Sequence, residues 1–261
     1  MTFLNAIERL IDYWFACLPQ PTPDPVSVAK TRLIAHRGAH LHQANIIENT
    51  MPAFERAQEL GCWGIEFDVH ATKDQVFVVN HDPDLNRLWN QQITISQCHL
   101  DFLRQTVPEI PMLSEVVERY SGQMHLFIEL KTPVRSETIL MNALKHLSPG
   151  EDYHLISLNE QFFEPLSQFP KHSLLLVPEQ NNVKRFVNLS LQKGYGGVLG
   201  HYLLLRDKYV RKLRDTHQIA GVGFIDSKYS LYREINRDLQ YIFTNQAEKI
   251  SHYLKELRGY M

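Results

Sequence analysis

The chain is poor in the features that would place it in several large classes. Cysteine is scarce, with only Cys17, Cys62 and Cys98 among 261 residues. The odd number and wide spacing argue against a disulfide framework and a thiolate zinc site, and suit a reducing compartment. An excess of charge of one sign is also missing. The 27 Lys and Arg against 29 Asp and Glu give a net charge of -2, without the basic stripe that a nucleic-acid partner calls for. No apolar run approaches the ~20 residues that cross a bilayer. A secretory leader is not expected either. No basic start precedes the N-terminal apolar residues, and Glu8, Arg9 and Asp12 interrupt them. The expectation is a cytoplasmic chain that works uncleaved.

What is present is a hydrophobic content of 44%, enough for a substantial core. The length suits one large domain or two small ones. Phe3, Leu4, Ile7, Leu10, Ile11, Trp14, Phe15 and Leu18 recur at three- and four-residue steps, which predicts an amphipathic helix. Pro21, Pro23 and Pro25 then end it as a stiff connector, so residues 1–30 precede the main domain at 31–261. The helix is expected to cover an end of that domain. Its polar side carries both signs, so a weak membrane-surface association is the lesser alternative.

From residue 32 a rhythm begins. Short apolar runs alternate with amphipathic stretches, as in strands buried on both faces and joined by helices. Strands are predicted at 32–36, 64–69, 124–130, 153–157, 172–177, 196–200, 221–225 and 239–244. Helices are predicted at 50–60, 113–120, 135–146, 183–191 and 246–258, with a short helical return near 161–167. Eight strand candidates over this length favour an α/β fold of the closed TIM (β/α)8 barrel type over an open sheet. Residues 76–80 are expected to pair antiparallel beside the second strand through a tight turn at 72–75. The stretch 82–111 is too long and irregular for an ordinary connection. It is predicted to be a small insertion over one end of the barrel.

Polar residues fall at the ends of these runs. The first strand delivers His36, Arg37 and Gly38, the second Glu66 and Asp68, and the third Glu129 and Lys131, while His81 and Asp82 follow the hairpin. Alternation puts Glu66 and Asp68 on one face, with Phe67 and Val69 on the other. In a barrel the carboxyl ends of the strands converge on one mouth, so these charges become neighbours. Three converging carboxylates repel unless a cation neutralises them. Oxygen ligands suit Mg2+ or Ca2+, with Mn2+ as a further option. Each acid alone would read as a surface charge, but two same-face acids inside an apolar strand plus a third at a strand end read as metal ligands. His36 and His81 can exchange protons near neutrality, Arg37 offers a planar fork to phosphate, and Lys131 adds a second positive contact. His40, His42, His70 and His99 lack such placement and read as structural.

His36-Arg37-Gly38, Glu48-Asn49-Thr50, Glu66-Phe67-Asp68-Val69, His81-Asp82 and Glu129-Leu130-Lys131 together resemble the signature of the glycerophosphodiester phosphodiesterases. The strongest part spans residues 32–132. The resemblance implies a TIM barrel and metal-dependent hydrolysis of a glycerophosphodiester to glycerol 3-phosphate and an alcohol. It is also compatible with a two-step route beside direct attack by water: if the glycerol 2-hydroxyl attacks first, a cyclic phosphate forms before water opens it. By resemblance His36 and His81 are the catalytic histidines, Arg37 and Lys131 contact substrate, and Glu66, Asp68 and Glu129 hold the metal. Glu48 is then a ligand or a partner just behind the ligands, and the insertion shapes the glycerol side of the pocket. The chain departs from the pattern at Ile47, where proline is usual. It departs again at Gly223-Phe224-Ile225-Asp226, where a tryptophan is common, and at Thr244-Asn245, where Thr-Asp is common. Two other functions stand beside this one. A lysophospholipase D-like enzyme would need an apolar groove, lined by 85–89 or by residues after Leu199. A non-catalytic phosphoester-binding protein would not need the two histidines.

Overall fold

The computed structural model describes residues 16–179 and 181–259. The expected amphipathic helix at 3–18 therefore falls almost wholly outside the described residues. A short helix α1 (Pro25–Lys30), capped by the Asp24 carboxylate on the Val26 and Ser27 N–H groups, leads into the first strand.

Eight parallel strands follow. They are β1 (Arg32–His36), β2 (Gly64–Ala71), β4 (His125–Leu130), β5 (Tyr153–Ser157), β6 (Leu174–Leu176), β7 (Gly197–His201), β8 (Ile219–Gly223) and β9 (Tyr241–Thr244). β1 pairs with β2 through Ile34 and Gly64 and with β9 through Ile34 and Phe243, which closes the sheet into a barrel. β3 (Phe77–Val79) lies antiparallel on the extended end of β2, with Val69 opposite Val79. The turn between them is the predicted one: Thr72 N–H donates to the Val76 carbonyl, and Gln75 takes a positive φ.

Helices α2 (Met51–Glu59), α5 (Leu113–Tyr120), α6 (Glu137–Ala143), α7 (Val183–Lys193), α8 (Asp207–Asp215), α9 (Lys228–Asn236) and α10 (Ala247–Arg258) surround the barrel. Strand alternation divides the apolar residues into two sets. Leu33, Ala35, Ile65, Phe67, Leu126 and Ile128 join the layer under the helices. Ile34, Phe127, Ile156, Leu175, Leu199 and Phe243 fill the barrel interior. This is the packed core of a TIM barrel and leaves no pore.

Several boundaries differ from the sequence prediction. The strand predicted at 172–177, β6, is trimmed because Lys171–Ser173 form a 3-10 turn, and β8 stops at Gly223, before a cis peptide to Phe224. The helix expected at 135–146 is shorter, since its last residues are drawn into turns toward Gly150, whose N–H donates to the Tyr153 carbonyl. The short return becomes a 3-10 turn at Glu160–Phe163. The insertion has more order than its irregular sequence implied. It carries α3 (Asn86–Trp89) and α4 (Leu100–Thr106), and Leu85, Ile95, Cys98, Leu103, Val107 and Ile110 pack with Val78 as a core of their own.

The floor of the barrel holds a buried histidine pair. His125 Nδ1 lies 2.9 Å from the Glu151 carbonyl, which can only accept, so that nitrogen carries a proton. Neutral His125 then accepts at Nε2 from His154 Nδ1–H, 2.7 Å away. Burial pushes His125 down to about 4 and His154 down to about 3. Below the ordinary histidine value near 6.5 the unfolded chain takes up protons that the folded chain refuses, so stability falls between about pH 6.5 and 3. The loss should be on the order of a few kcal/mol. Denaturation midpoints measured across that range should fall less steeply for His154→Leu than for wild type. Equal slopes would show that the pair does not carry the effect.

Candidate active site and metal centre

The mouth of the barrel is built from the ends of β1, β2 and β4. Glu66 and Asp68 point inward from β2, paired in register with Phe127 and Glu129 on β4. Glu66, Asp68 and Glu129 are 2%, 0% and 7% exposed. Each offers a carboxylate oxygen within 4.8 Å of the others. Three buried anions at this separation are costly unless compensated. Burial and then the charges of Asp68 and Glu129 hold the Glu66 carboxyl well above its usual range. Burial and Asp68 push Glu129 up to about 7, against Lys131. Burial would raise Asp68 too, but Lys131 and Arg37 outweigh it and hold it below its ordinary value. The compensation is incomplete, because Glu66 Oε1 is buried with no hydrogen-bond partner. Asp68 Oδ1 has Lys131 Nζ at 3.0 Å as an ion pair but receives no well-aligned hydrogen bond. Unspent lone pairs on converging hard oxygens fit a divalent cation.

The loop after β1 wraps this cradle. Arg37 N–H donates to Glu66 Oε2 at 3.0 Å, and Arg37 Nη1 donates to Glu48 Oε1 at 2.8 Å. Arg37 Nε stands 3.4 Å from Asp68 Oδ2, which accepts from Asn49 Nδ2 at 2.8 Å. Gly38 permits the turn twice over. Its φ is +75°, and a Cβ there would meet Ala53 and Phe54 at 2.9 Å. Glu48 lies outside the carboxylate trio. Burial opposes its ionisation, yet Arg87 and Arg37 hold it down at about 2. It acts on the site by orienting two guanidinium groups.

Both histidines are gripped at Nδ1. His36 Nδ1 is 2.7 Å from Asn245 Oδ1, and its ring packs on Phe224 with centroids 4.5 Å apart. Burial, followed by Arg37, pushes His36 down to about 4. His81 Nδ1 is 2.7 Å from Asp82 Oδ1, while Arg87 Nε donates to Asp82 Oδ2 at 2.5 Å. Arg87 Nη2 also donates to Glu48 Oε1 at 2.7 Å, so the insertion ties the His81 and Arg37 sides together.

His36, Arg37, Glu66, His81, Glu129 and Lys131 all line one cavity of about 890 Å3 at the mouth. Asp68 lies beneath them, fully buried, and Lys131 rests against Glu129 and Asp68. The sequence assigns no role to Arg87, and none to Asn49 or Asn245 beyond their places in the motifs. Arg87 sits in an insertion with no period to read, and Asn245 pairs with a residue 209 positions away. The apolar groove expected at 85–89 is not built there, because Leu85 turns into the insertion core. The other lining named from the sequence, after Leu199, does supply apolar surface: Leu204 and Phe224 join Ile156, Leu158, Val177 and Leu199 in a wall across the mouth.

The sequence model of the glycerophosphoryl diester phosphodiesterase family matches residues 36–216. A glycerophosphodiester phosphodiesterase of Caldanaerobacter subterraneus subsp. tengcongensis is 32% identical, over 87% of this chain and 99% of that protein. A lysophospholipase D of Rattus norvegicus is 35% identical over 34% of this chain and 33% of its own length. Among solved structures, the glycerophosphodiester phosphodiesterase of Thermotoga maritima superposes with a TM-score of 0.70 at 24% identity, covering 84% of this chain and 96% of that one. An Oleispira antarctica phosphodiesterase, solved in complex with the product sn-glycerol-3-phosphate, gives a TM-score of 0.70 at 22% identity, over 86% and 96% of the two chains.

Proposed function

The chain belongs to the glycerophosphoryl diester phosphodiesterase family, and on that premise we propose a role for each group at its barrel mouth. It is a metal-dependent hydrolase that cleaves glycerophosphodiesters to sn-glycerol 3-phosphate and an alcohol. The observation that carries this is the three-carboxylate cradle with an unpartnered Glu66 oxygen, set in one cavity with two histidines and an arginine. Glu66, Asp68 and Glu129 would hold the cation, which draws charge from the non-bridging phosphate oxygens when bound. Arg37 and Lys131 meet the same charge from the protein side, and Glu48 aims the Arg37 fork. One histidine takes the proton from the attacking oxygen as the new phosphorus–oxygen bond forms, that oxygen being water itself or, in a two-step route, the glycerol 2-hydroxyl and then the water that opens the cyclic phosphate. The other gives a proton to the leaving alkoxide as the old bond breaks. A protein that only bound phosphoesters would need neither.

A lysophospholipid is the second reading, favoured by the apolar wall, where Leu158 and Phe224 stay 36% and 43% exposed. Substrate panels separate the two. Metal-loaded enzyme should release sn-glycerol 3-phosphate from glycerophosphocholine and glycerophosphoethanolamine faster than it cleaves lysophosphatidylcholine. The reverse order would make the lysophospholipid the substrate class. Among the described residues no helix is long and apolar enough to cross a membrane. The free thiols Cys17, Cys62 and Cys98 support a reducing, cytoplasmic setting.

A further inference from the structure

The two histidines differ in what holds them. His81 rests on a carboxylate, Asp82, whereas His36 rests on a neutral amide, Asn245. Asn245 is itself fixed from behind. Asp226, in the loop after β8, accepts from the Asn245 backbone N–H at 2.9 Å and from the Thr244 hydroxyl at 2.7 Å. Thr244 Oγ1 in turn accepts from Gln246 N–H at 2.9 Å. The chain end of β9 is thereby pinned, and Phe224 closes over the other side of the imidazole.

Which ring nitrogen carries the proton depends on how the amide faces it. If Asn245 presents its oxygen, His36 Nδ1–H donates and Nε2 keeps its lone pair. If it presents its nitrogen, the proton sits on Nε2. A proton there would face Glu66 Oε2 at 3.6 Å, which is beyond hydrogen-bond length. That oxygen already accepts from Arg37 N–H. The geometry favours the first arrangement.

We propose that Asn245 is the positioning residue of His36: its side-chain oxygen holds the proton on Nδ1 and turns Nε2 toward the phosphodiester. This rests on the reading of His36 as a proton-transfer group, since Asn245 does not touch the reacting atoms itself. The conservative change Asn245→Asp keeps an acceptor oxygen at the same reach, while Asn245→Leu keeps the size and removes it.

The test uses metal-loaded, full-length protein and glycerophosphocholine. Asn245→Leu should lower kcat by roughly 10–100-fold, the scale of losing an imidazole's outer hydrogen-bond partner. Its KM and thermal midpoint should stay near wild type, and Asn245→Asp should restore most of kcat. Asn245→Ala repeats the test if the leucine variant does not fold. In parallel, nitrogen NMR of 15N-histidine protein reads the His36 tautomer, its signal assigned by loss in His36→Ala. The expected result is Nδ1–H in wild type and in Asn245→Asp, with a mixture in Asn245→Leu. Wild-type kcat in both Asn245→Leu and Asn245→Ala, an equal fall in Asn245→Asp, or a wild-type proton on Nε2 would overturn the proposal. If wild type cleaves no phosphodiester, the functional reading fails by itself and the tautomer comparison still decides the role of Asn245.

Discussion

Replacing His36 or His81 by alanine is expected to lower kcat by roughly 10²–10⁴-fold, the range that a positioned acid or base supplies. The fold should survive both changes. His36 is a strand-end residue whose ring faces the cavity, and His81 is about one-third exposed at its side chain. Neither belongs to the buried apolar clusters. Far-ultraviolet circular dichroism and the thermal midpoint should therefore match wild type while turnover is lost. The two losses should also be far from additive, because a reaction that needs a proton taken and a proton given is crippled by the absence of either. Wild-type turnover in either purified variant would remove that histidine from the mechanism.

The second large effect concerns the cradle. Glu66→Gln, Asp68→Asn and Glu129→Gln keep shape and lose charge, and each should cost roughly 10²–10³-fold in kcat, the scale of losing one electrostatic stabiliser. The same changes give a readout apart from activity. A cation that binds only the folded protein stabilises it by about 2.7 kcal/mol at a hundred times its Kd, which should raise the thermal midpoint of wild type by several degrees. The variants should show little or none of this rise. In the absence of metal, however, Glu66→Gln and Glu129→Gln should be as stable as wild type or more so, because burial and the neighbouring carboxylates disfavour those two charges. Asp68→Asn should instead be less stable, because it takes a buried partner from Lys131 and Arg37. Variants that kept the metal-induced rise would place the ion elsewhere. Among the described residues no other group of three His, Cys, Asp or Glu side chains comes together in this way.

Much of this site was legible in the sequence because a barrel converts short-range pattern into long-range neighbourhood. The alternation of Glu66 and Asp68 around Phe67 fixed their shared face, and the apolar run before Glu129 fixed its strand. Parallel pairing of β4 beside β2 then set Asp68 opposite Glu129. The strand ends read less well where turns compete with the ladder, as at Lys171–Ser173 and after Gly223. What could not be read was the partner of each polar tip. Arg87 reaches Glu48 and Asp82 only because the insertion packs its own core and hands one face of α3 to the mouth. Asn245 meets His36 because the last strand closes on the first. The buried His125–His154 pair depends likewise on the register of β4 with β5, which pairs Phe127 with His154. Such contacts are fixed by packing between elements, and local periodicity carries no trace of them.

The most direct test of the central claim follows phosphorus NMR of glycerophosphocholine with the purified chain, first stripped of metal by chelation and then given Mg2+, Ca2+ or Mn2+ in turn. The account predicts no reaction in the stripped protein. It predicts conversion of the phosphodiester signal to that of sn-glycerol 3-phosphate with at least one cation, and none with His36→Ala or Glu66→Gln. Undiminished hydrolysis by the stripped protein, or no phosphomonoester with any of the three cations, would contradict it.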